Sequence, residues 1–480
     1  MSENTPFRPR CHFAPRRGWI NDPNGLVFYR DEWHLFYQYY NPEEVDGMQW
    51  GHAVSADLLS WTHLPPALAP DEHGQIWSGS AVVDREDASG LFGGRPGLVC
   101  LYTYWDKDDG GSQCQGMAYS ADGRTFVKWP GNPVIPKLRD LAGHPADKDF
   151  RDPKVFRHGP SGSWVMVVAG GKLRVFSSKD LIHWEFESVD EATETECPDL
   201  FELPVAGAPG STAWVLSGGG RWYQTGAFDG KHFTPGSPRI QMCGGPDWYA
   251  TQTWDSAPDS RRVGISWLFG WGYGAGARAG RIANPFPTGP IAGGCLTIPC
   301  ELSLESTPDG PRLLQAPVRE FNALAGVTRI HGRIALPPGS AYAFEEGLSE
   351  CLDVAAELTV PPGARVTFTV PVAAGGSVSL GIDNLRKALF IDRTGAASHG
   401  VESYGRRYET ALAGRAGPDF SLRIVLDRCS LELFADHGRS LMSAFILPAD
   451  NGARMTAEGD HEGCAVRSMA VRSLRPCINW

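Results

Sequence analysis

SADLLSW (Ser55–Trp61) recurs along the first half of this chain. SADGRTF (Ser120–Phe126) and SKDLIHW (Ser178–Trp184) repeat its Ser-x-Asp-x-x-x-aromatic pattern. FDGKHF (Phe228–Phe233) keeps the Asp and the aromatic four residues later, so Asp57, Asp122, Asp180 and Asp229 follow one another at intervals of 65, 58 and 49 residues. Strand-like stretches such as GHAVS, GMAYS and LRVFS precede the copies, and others such as THLP and EFESV follow. The unit therefore reads as strand, Asp-containing turn, strand, with the aromatic packed beside the turn. Strand repeats of roughly 40–50 residues are the signature of propeller blades, each a four-stranded sheet. Insertions account for the longer intervals.

Polar motifs alternate with these turns. Asp22 precedes the first, Trp77-Ser78 the second, Asp152 the third and Glu196 the fourth, and Asp247 follows the last. Five blades are expected, each placing one motif near the start of its innermost strand, so that distant residues converge at one end of a central channel. After about Leu304 the texture changes. STPDGPRLLQAP reads as a linker, and from Ile330 onward ARVTFTVPV, SVSLGID, KALFIDR, FSLRIVLD and CSLELFAD alternate with period two, as in a β-sandwich. The expected all-β organisation is a five-bladed β-propeller over residues 1–304, a linker over 305–329 and a β-sandwich over 330–480.

Composition agrees with many short strands and turns: Gly 57, Pro 37 and Trp 16 in 480 residues, with 42% hydrophobic. A net charge of -11 argues against nucleic acid or an anionic membrane as partner and fits a neutral small or polymeric ligand. The eleven Cys are scattered without a C-x-x-C pair, so neither a zinc site nor a disulfide framework is expected, and free thiols favour a reducing compartment. The start, MSENTPFRPRCHF, has no apolar h-region. As written the chain is expected to be cytoplasmic, or secreted if a signal peptide was removed upstream.

Three acids sit beside Pro-containing kinks at the edges of apolar stretches: Asp22 in WINDPNG, Asp152 in FRDPKVF and Glu196 in ECPDLF. An Asp before Pro is most often a turn residue, and Glu194 would share a strand face with Glu196. Two carboxylates across one small site are nevertheless what glycosidic cleavage requires: one attacks the anomeric carbon, the other protonates the leaving oxygen.

WINDPNG, WGHAVSADLLSW, WSGSAVV, FRDPKVF and ECPDLF, in that order, closely resemble glycoside hydrolase family 32, which includes invertases, inulinases, levanases and related fructosyltransferases. DWYATQTW, RRVGISW and SLELFADHGRSLMSAFILP extend the resemblance through most of the chain. The family's five-bladed propeller and following sandwich agree with the reading above. By resemblance Asp22 is the nucleophile and Glu196, followed by Cys-Pro-Asp, the acid/base. Asp152 with Arg151 binds fructose hydroxyls and stabilises the transition state. Asn21, Gln38, Trp50, Trp77 and Ser78 shape the fructose pocket, and Asp247 lines it. The implied reaction is retaining hydrolysis of β-fructofuranosyl units, without metal or organic cofactor, with the two carboxyls about 5–5.5 Å apart. Asn24-Gly25 is expected to reverse the chain and hold Asp22 rigid, and burial beside Asp22 to raise the Glu196 pKa. Fructosyl transfer and a non-catalytic carbohydrate-binding propeller are the alternatives. The sandwich is expected to be structural, with contact to a second subunit, as in a homo-oligomer, left open. Two departures fall near the pocket rim: Thr195 where relatives carry a bulkier residue, and Ile291 and Cys300 within PTGPIAGGCLTIPCEL (Pro287–Leu302), where they carry a Trp-Arg pair and an Arg.

Overall fold

The computed structural model describes residues 7–140, 149–270, 293–348, 351–373, 375–396, 403–412, 417–449 and 452–478. Ile291 and the first part of its motif lie outside them. Three antiparallel four-stranded meanders come first. They are β1–β4 (Trp19–Tyr29, Glu32–Tyr40, Gln49–Ser55, Trp61–Leu68), β5–β8 (Gln75–Asp84, Gly97–Asp106, Ser112–Ser120, Val127–Lys128) and β9–β12 (Arg151–His158, Ser163–Ala169, Gly171–Ser178, Trp184–Thr195). A fourth meander, β13–β16 (Asp199–Ala206, Thr212–Gly218, Trp222–Phe228, Phe233–Pro235), carries β17 (Ile240–Gln241) on β15. It is joined, by parallel pairing of β13 with β21, to β18–β22 (Tyr249–Thr253, Arg262–Leu268, Cys295–Leu296, Cys300–Thr307, Gly310–Pro317). β1 packs beside β5, β5 beside β9, and β18 beside both β13 and β1. Asp255, just past β18, exchanges backbone hydrogen bonds with Leu26 and Phe28 of β1, so the last sheet meets the first. This region is a propeller.

The repeated Asp turns explain why the sheets meander. Each lies between the third and fourth strand of its sheet. Asp57 Oδ1 accepts from the N–H groups of Leu59 and Ser60, Asp122 from Arg124 and Thr125, Asp180 from Ile182 and His183, and Asp229 from Lys231 and His232. A carboxylate taking the place of backbone acceptors at a turn is why Asp recurs. The aromatics serve the next level of packing. Trp61 stacks on Trp254 at 6.4 Å, and Phe126 meets Phe36 of the first sheet edge-on at 5.3 Å. Trp184 and Phe233 pack into the apolar layers on either side of the third sheet. One short motif thus closes a hairpin and fills the gap between sheets.

The linker expected over 305–329 is instead structured: Thr307–Gly310 turns β21 into β22, which completes the last propeller sheet at Pro317. A 3-10 turn, Arg319–Leu324, leads into the sandwich. One sandwich sheet has the order β23-β35-β26-β31-β32-β33, with β24 on β35; the other is β25-β34-β27-β28-β29-β30. In chain order the strands β23–β35 are Ala325–His331, Ile334–Ala335, Ala341–Gly347, Cys351–Thr359, Arg365–Pro371, Ser377–Asp383, Ala388–Asp392, Arg407–Ala411, Asp419–Leu426, Ser430–Ala435, Ser440–Phe445, Arg454–Gly459 and Ala465–Leu474. Val366, Phe368 and Val370 point inward on one sheet and Phe420, Leu422 and Ile424 on the other, the period-two pattern that builds a sandwich core.

The two halves share an interior. Phe269 of the propeller meets Phe445 of the sandwich edge-on at 4.9 Å. His12, fully buried, bonds Asp427 Oδ2 at 2.8 Å and Glu432 Oε1 at 2.7 Å, and that Glu432 oxygen also accepts from Ile298 N. Burial opposes charge on His12, yet the two carboxylates raise its pKa to about 10. A group whose folded pKa lies above its unfolded value stabilises fully below the unfolded value, near 6.5, and loses that stability as pH rises towards 10. Urea unfolding between pH 6 and 10 should therefore show a decline in stability that is absent from His12→Gln; equal slopes in the two proteins would contradict the assignment.

Candidate active site

WINDPNG does not turn the chain. Trp19–Tyr29 is one strand, and its register against β2 slips twice, between Ile20 and Pro23 and between Asn24 and Val27. Each slip is a bulge of one extra residue, which bends a strand and re-aims its side chains. Pro23 is tolerated there because a bulged position gives up ladder hydrogen bonds. Gly25, at φ 54°, is required: a Cβ would lie 2.5 Å from the Phe36 ring. The correction is physical. The turn-forming residues act inside a strand, where positive φ makes a bulge rather than a reversal.

The same device recurs at the pocket end of other inner strands. β5 slips at Ser78, β9 at Asp152-Pro153 and β18 at Ala250-Thr251. Asp152 has φ 63° and Ala250 φ 53°. Before β13 the chain kinks at Cys197, φ 42°, ahead of Pro198. Such conformations are uncommon for residues other than Gly and persist only where surroundings over-determine them.

These kinks surround a cleft of about 350 Å³. Asn21, Asp22, Gln38, Trp77, Ser78, Arg151, Asp152 and Glu196 all line it. Asp22 is buried; its Oδ1 accepts from Asn21 Nδ2 at 2.9 Å and its Oδ2 from Ser78 Oγ at 2.6 Å. Trp19 Nε1 in turn donates to Asn21 Oδ1 at 2.7 Å. Cys197 bridges two acids: its thiol reaches Asp22 Oδ2 at 3.5 Å and Asp152 Oδ2 at 3.6 Å, and its N–H donates to the same Asp152 oxygen at 2.9 Å. Asp152 N donates to Thr103 Oγ1 at 2.9 Å. Glu196 is clamped from both sides, Oε1 by Arg151 and Oε2 by the Tyr249 hydroxyl. Glu194 faces solvent opposite Lys172, and so has no part in the cleft.

Two expected pocket residues are elsewhere. Trp50 is fully buried, and its Nε1 donates to Trp77 O at 3.0 Å, supporting the Trp77 strand from behind. Asp247 is fully buried at the seam with the sandwich, paired with Arg393 at 2.8 Å. The cleft gains instead Tyr249, Cys197 and Trp105, whose ring lies parallel to Trp77 at 5.3 Å. Tyr249 lies in the same DWYATQTW motif as Asp247, and only the bulge after it reveals which of the two faces the cleft. Trp105 has no sequence signal of its own.

The expected order of proton affinities is reversed for Glu196. Burial pushes its pKa up, but the hydrogen bonds from Tyr249 and Arg151 outweigh burial and hold it below its ordinary value. Asp22 is raised, by burial first and also by the Glu196 charge, against the pull of Ser78 and Asn21. Asp152 is raised to about 7 by burial and by the Asp22 and Glu196 charges, although Arg151 lowers it. Close carboxylates cannot all ionise freely, and the best-solvated, best-paired one ionises first.

Among the described residues, one group has metal-ligand spacing: Cys11, Cys351 and Asp427. None of them lines the cleft. Both Asp427 oxygens already accept hydrogen bonds, from Arg10 N, Cys11 N, His12, Arg428 N and Cys351 Sγ, which suits an anchored carboxylate rather than a cation ligand.

Residues 12–317 match the glycosyl hydrolases family 32 N-terminal domain, and residues 334–473 the glycosyl hydrolases family 32 C-terminal domain. The chain belongs to glycoside hydrolase family 32. It is 37% identical to a levanase of Bacillus subtilis (strain 168) over 98% of this chain and 70% of that protein. A levanase of Bacillus sp. (strain L7) is 33% identical over 98% of this chain, which spans 52% of its length. The crystal structure of exo-inulinase from Aspergillus awamori superposes with a TM-score of 0.84 at 27% identity, covering 99% of this chain and 100% of that one. The family 32 N-terminal domain ends at Pro317, where β22 ends, so sheet pairing and family boundary agree. No described helix is long and apolar enough to cross a membrane.

Infrared titration of this family 32 chain should show a carboxyl ionising near pH 7 that disappears in Asp152→Asn. Retention of that transition in the variant would place the raised carboxyl elsewhere.

Proposed function

We propose that this family 32 chain is a retaining β-fructofuranosidase with Asp22 as nucleophile, Glu196 as acid/base, and Asp152 with Arg151 holding fructose hydroxyls. The glycosidase activity on fructosyl residues of fructans or sucrose follows from family membership and from its levanase and exo-inulinase relatives. One observation carries the residue roles. Cys197 touches both Asp22 and Asp152, while its neighbour Glu196 faces the same cleft. Three acids, from β1, from β9 and from the kink before β13, therefore surround one sugar-sized space.

In this reading the Asp22 carboxylate attacks C2 of a β-fructofuranosyl unit as the C2–O bond to the leaving group breaks and Glu196 delivers its proton to that oxygen. The hydrogen bonds from Ser78 and Asn21 orient Asp22, so its rotational freedom is already spent before attack. A carboxyl separation of about 5–5.5 Å belongs to this retaining route. Glu196 must carry a proton for the first step. Fructose hydroxyls that engage Arg151 draw it away from Glu196 Oε1 and raise the proton affinity of Glu196. Once Asp22 is esterified its charge is gone, Glu196 becomes the stronger acid, and it accepts a proton from the attacking water. Released fructose then carries the β configuration.

A five-bladed count fits the propeller. What supports it is that β1, β5, β9 and β13 each begin a meander and β18 begins a further set of strands, with β1 beside β5, β5 beside β9, and β18 beside both β13 and β1. The joined fourth and fifth sheets are then two blades touching through the short Val205–Leu304 pairing.

Parallel assays on sucrose, inulin and levan, with products separated and the first-formed anomer read by NMR, test the proposal. Free β-fructose is expected, and Asp22→Asn should lose turnover by at least about a thousandfold while still binding sugar. An α-anomer, or full activity in Asp22→Asn, would remove the nucleophile; a difructose anhydride or lengthened oligosaccharide would make the enzyme a transferase.

A further inference from the structure

Asp247 and Arg393 are both fully buried, and they face each other across the two halves of the molecule. Arg393 lies just after β29 of the sandwich; its Nη1 donates to Asp247 Oδ2 at 2.8 Å and to Phe445 O at 3.1 Å. Its guanidinium also lies 4.2 Å from the centre of the Tyr404 ring. Neither Arg393 nor Asp247 lines the cleft, so neither touches a sugar there.

The propeller segment that holds Asp247 is laced to the edge strand β33 at alternate residues. Gly244 N donates to Leu441 O at 2.9 Å, Ser443 Oγ to Asp247 O at 2.5 Å, and Phe445 N to Asp247 Oδ2 at 2.7 Å. Gly245 approaches so closely that a Cβ there would lie 2.0 Å from Ser443 O. Two residues beyond Asp247 comes Tyr249, the hydroxyl on Glu196 Oε2. On its far side Ala250 N donates to Gly219 O at 2.8 Å, and Gly219 N donates to Glu196 O, also at 2.8 Å. The backbone of Glu196 and the side chain that clamps it thus belong to one hydrogen-bonded assembly, whose outer end is fixed in the sandwich.

The geometry points to Arg393 and β33 as positioning elements of the reaction: through Asp247 they set where the Tyr249 hydroxyl stands, and thereby how tightly Glu196 holds its proton. This rests on the reading of Glu196 as acid/base. Rotation about the Asp247–Tyr249 backbone would swing the phenol away, and a carboxylate losing a charge-assisted hydrogen bond becomes a weaker acid. The sandwich then contributes to catalysis without contributing a catalytic residue.

The test is the alkaline limb of kcat, which reports the acid in the enzyme–substrate complex, where Glu196 carries the proton. Tyr249→Phe should move that limb upward by about half a unit or more, a factor of about three in proton affinity. Arg393→Lys should move it in the same direction, and the double variant no further than Tyr249→Phe alone, because both act through one hydroxyl. KM should change less than kcat in Arg393→Lys. If that variant does not fold, Ser443→Ala, which removes only the hydroxyl on Asp247 O, carries the same comparison. A lowered melting temperature with an unshifted limb in the Arg393 or Ser443 variant, or additive shifts in the double variant, would overturn the positioning role. A limb unmoved by Tyr249→Phe itself would instead overturn Glu196 as the acid.

Discussion

A strand running straight into a pocket turns successive side chains to opposite faces, and its backbone is committed to its neighbours. Acids from distant parts of the chain cannot converge under that constraint unless the chain breaks step at each of them. In this protein the break is a bulge or a left-handed kink at the cleft end of the strand: Asn21–Asp22 on β1, Asp152 on β9, Cys197 before β13. Asp-Pro and Cys-Pro fit these places because a bulged position asks for no ladder hydrogen bond. The remaining site features depend on this step. Ser78 reaches Asp22 because β5 also slips, and Tyr249 reaches Glu196 ahead of the slip in β18.

Charge follows from that convergence. Three carboxyls share one low-dielectric space with Arg151, so protonation belongs to the group rather than to any member. Arg151 and Tyr249 favour the ionised form of Glu196, while burial favours the neutral form of Asp22 and Asp152. A site organised in this way holds a proton near neutral pH on its buried acids while the more exposed Glu196 ionises first. In the proposed mechanism that proton passes to Glu196 when a sugar engages Arg151. Cys197, its thiol kept protonated by burial and the neighbouring Asp152 and Asp22 charges, serves as a neutral donor between two acids.

Much of this was legible in sequence. The Ser-x-Asp-x-x-x-aromatic turns carry their own mechanism, since a carboxylate that caps backbone N–H groups is local chemistry, and they located the meanders. Period-two alternation located the sandwich for the same reason. The linker expected over 305–329 failed because Pro311 and Gly310 read as breakers, whereas they start β22, whose partner β21 is set by tertiary pairing. WINDPNG was misread as a reversal because Asn-Gly specifies positive φ and not whether the chain turns or bulges. Among the expected site residues, those beside the kinks line the cleft. Asp247 and Trp50 were misplaced, because a motif near the cleft in sequence can support it from behind. Tyr249 and Trp105 came into view only with the fold. The Glu196 proton affinity depended on two side chains, one of them unassigned, so its direction could not be read from burial alone.

The central claim is that Asp22, held at its bulge, bonds covalently to the sugar while Glu196 manages the proton. The most direct measurement is mass spectrometry of peptides from a Glu196→Gln variant quenched during turnover of a fructoside with a good leaving group, in which the second step is slow. A single added hexosyl mass on the peptide containing Trp19–Gly25, located on Asp22, is the result this account predicts. An unlabelled peptide under conditions of demonstrated turnover, or the label on Asp152, would contradict it.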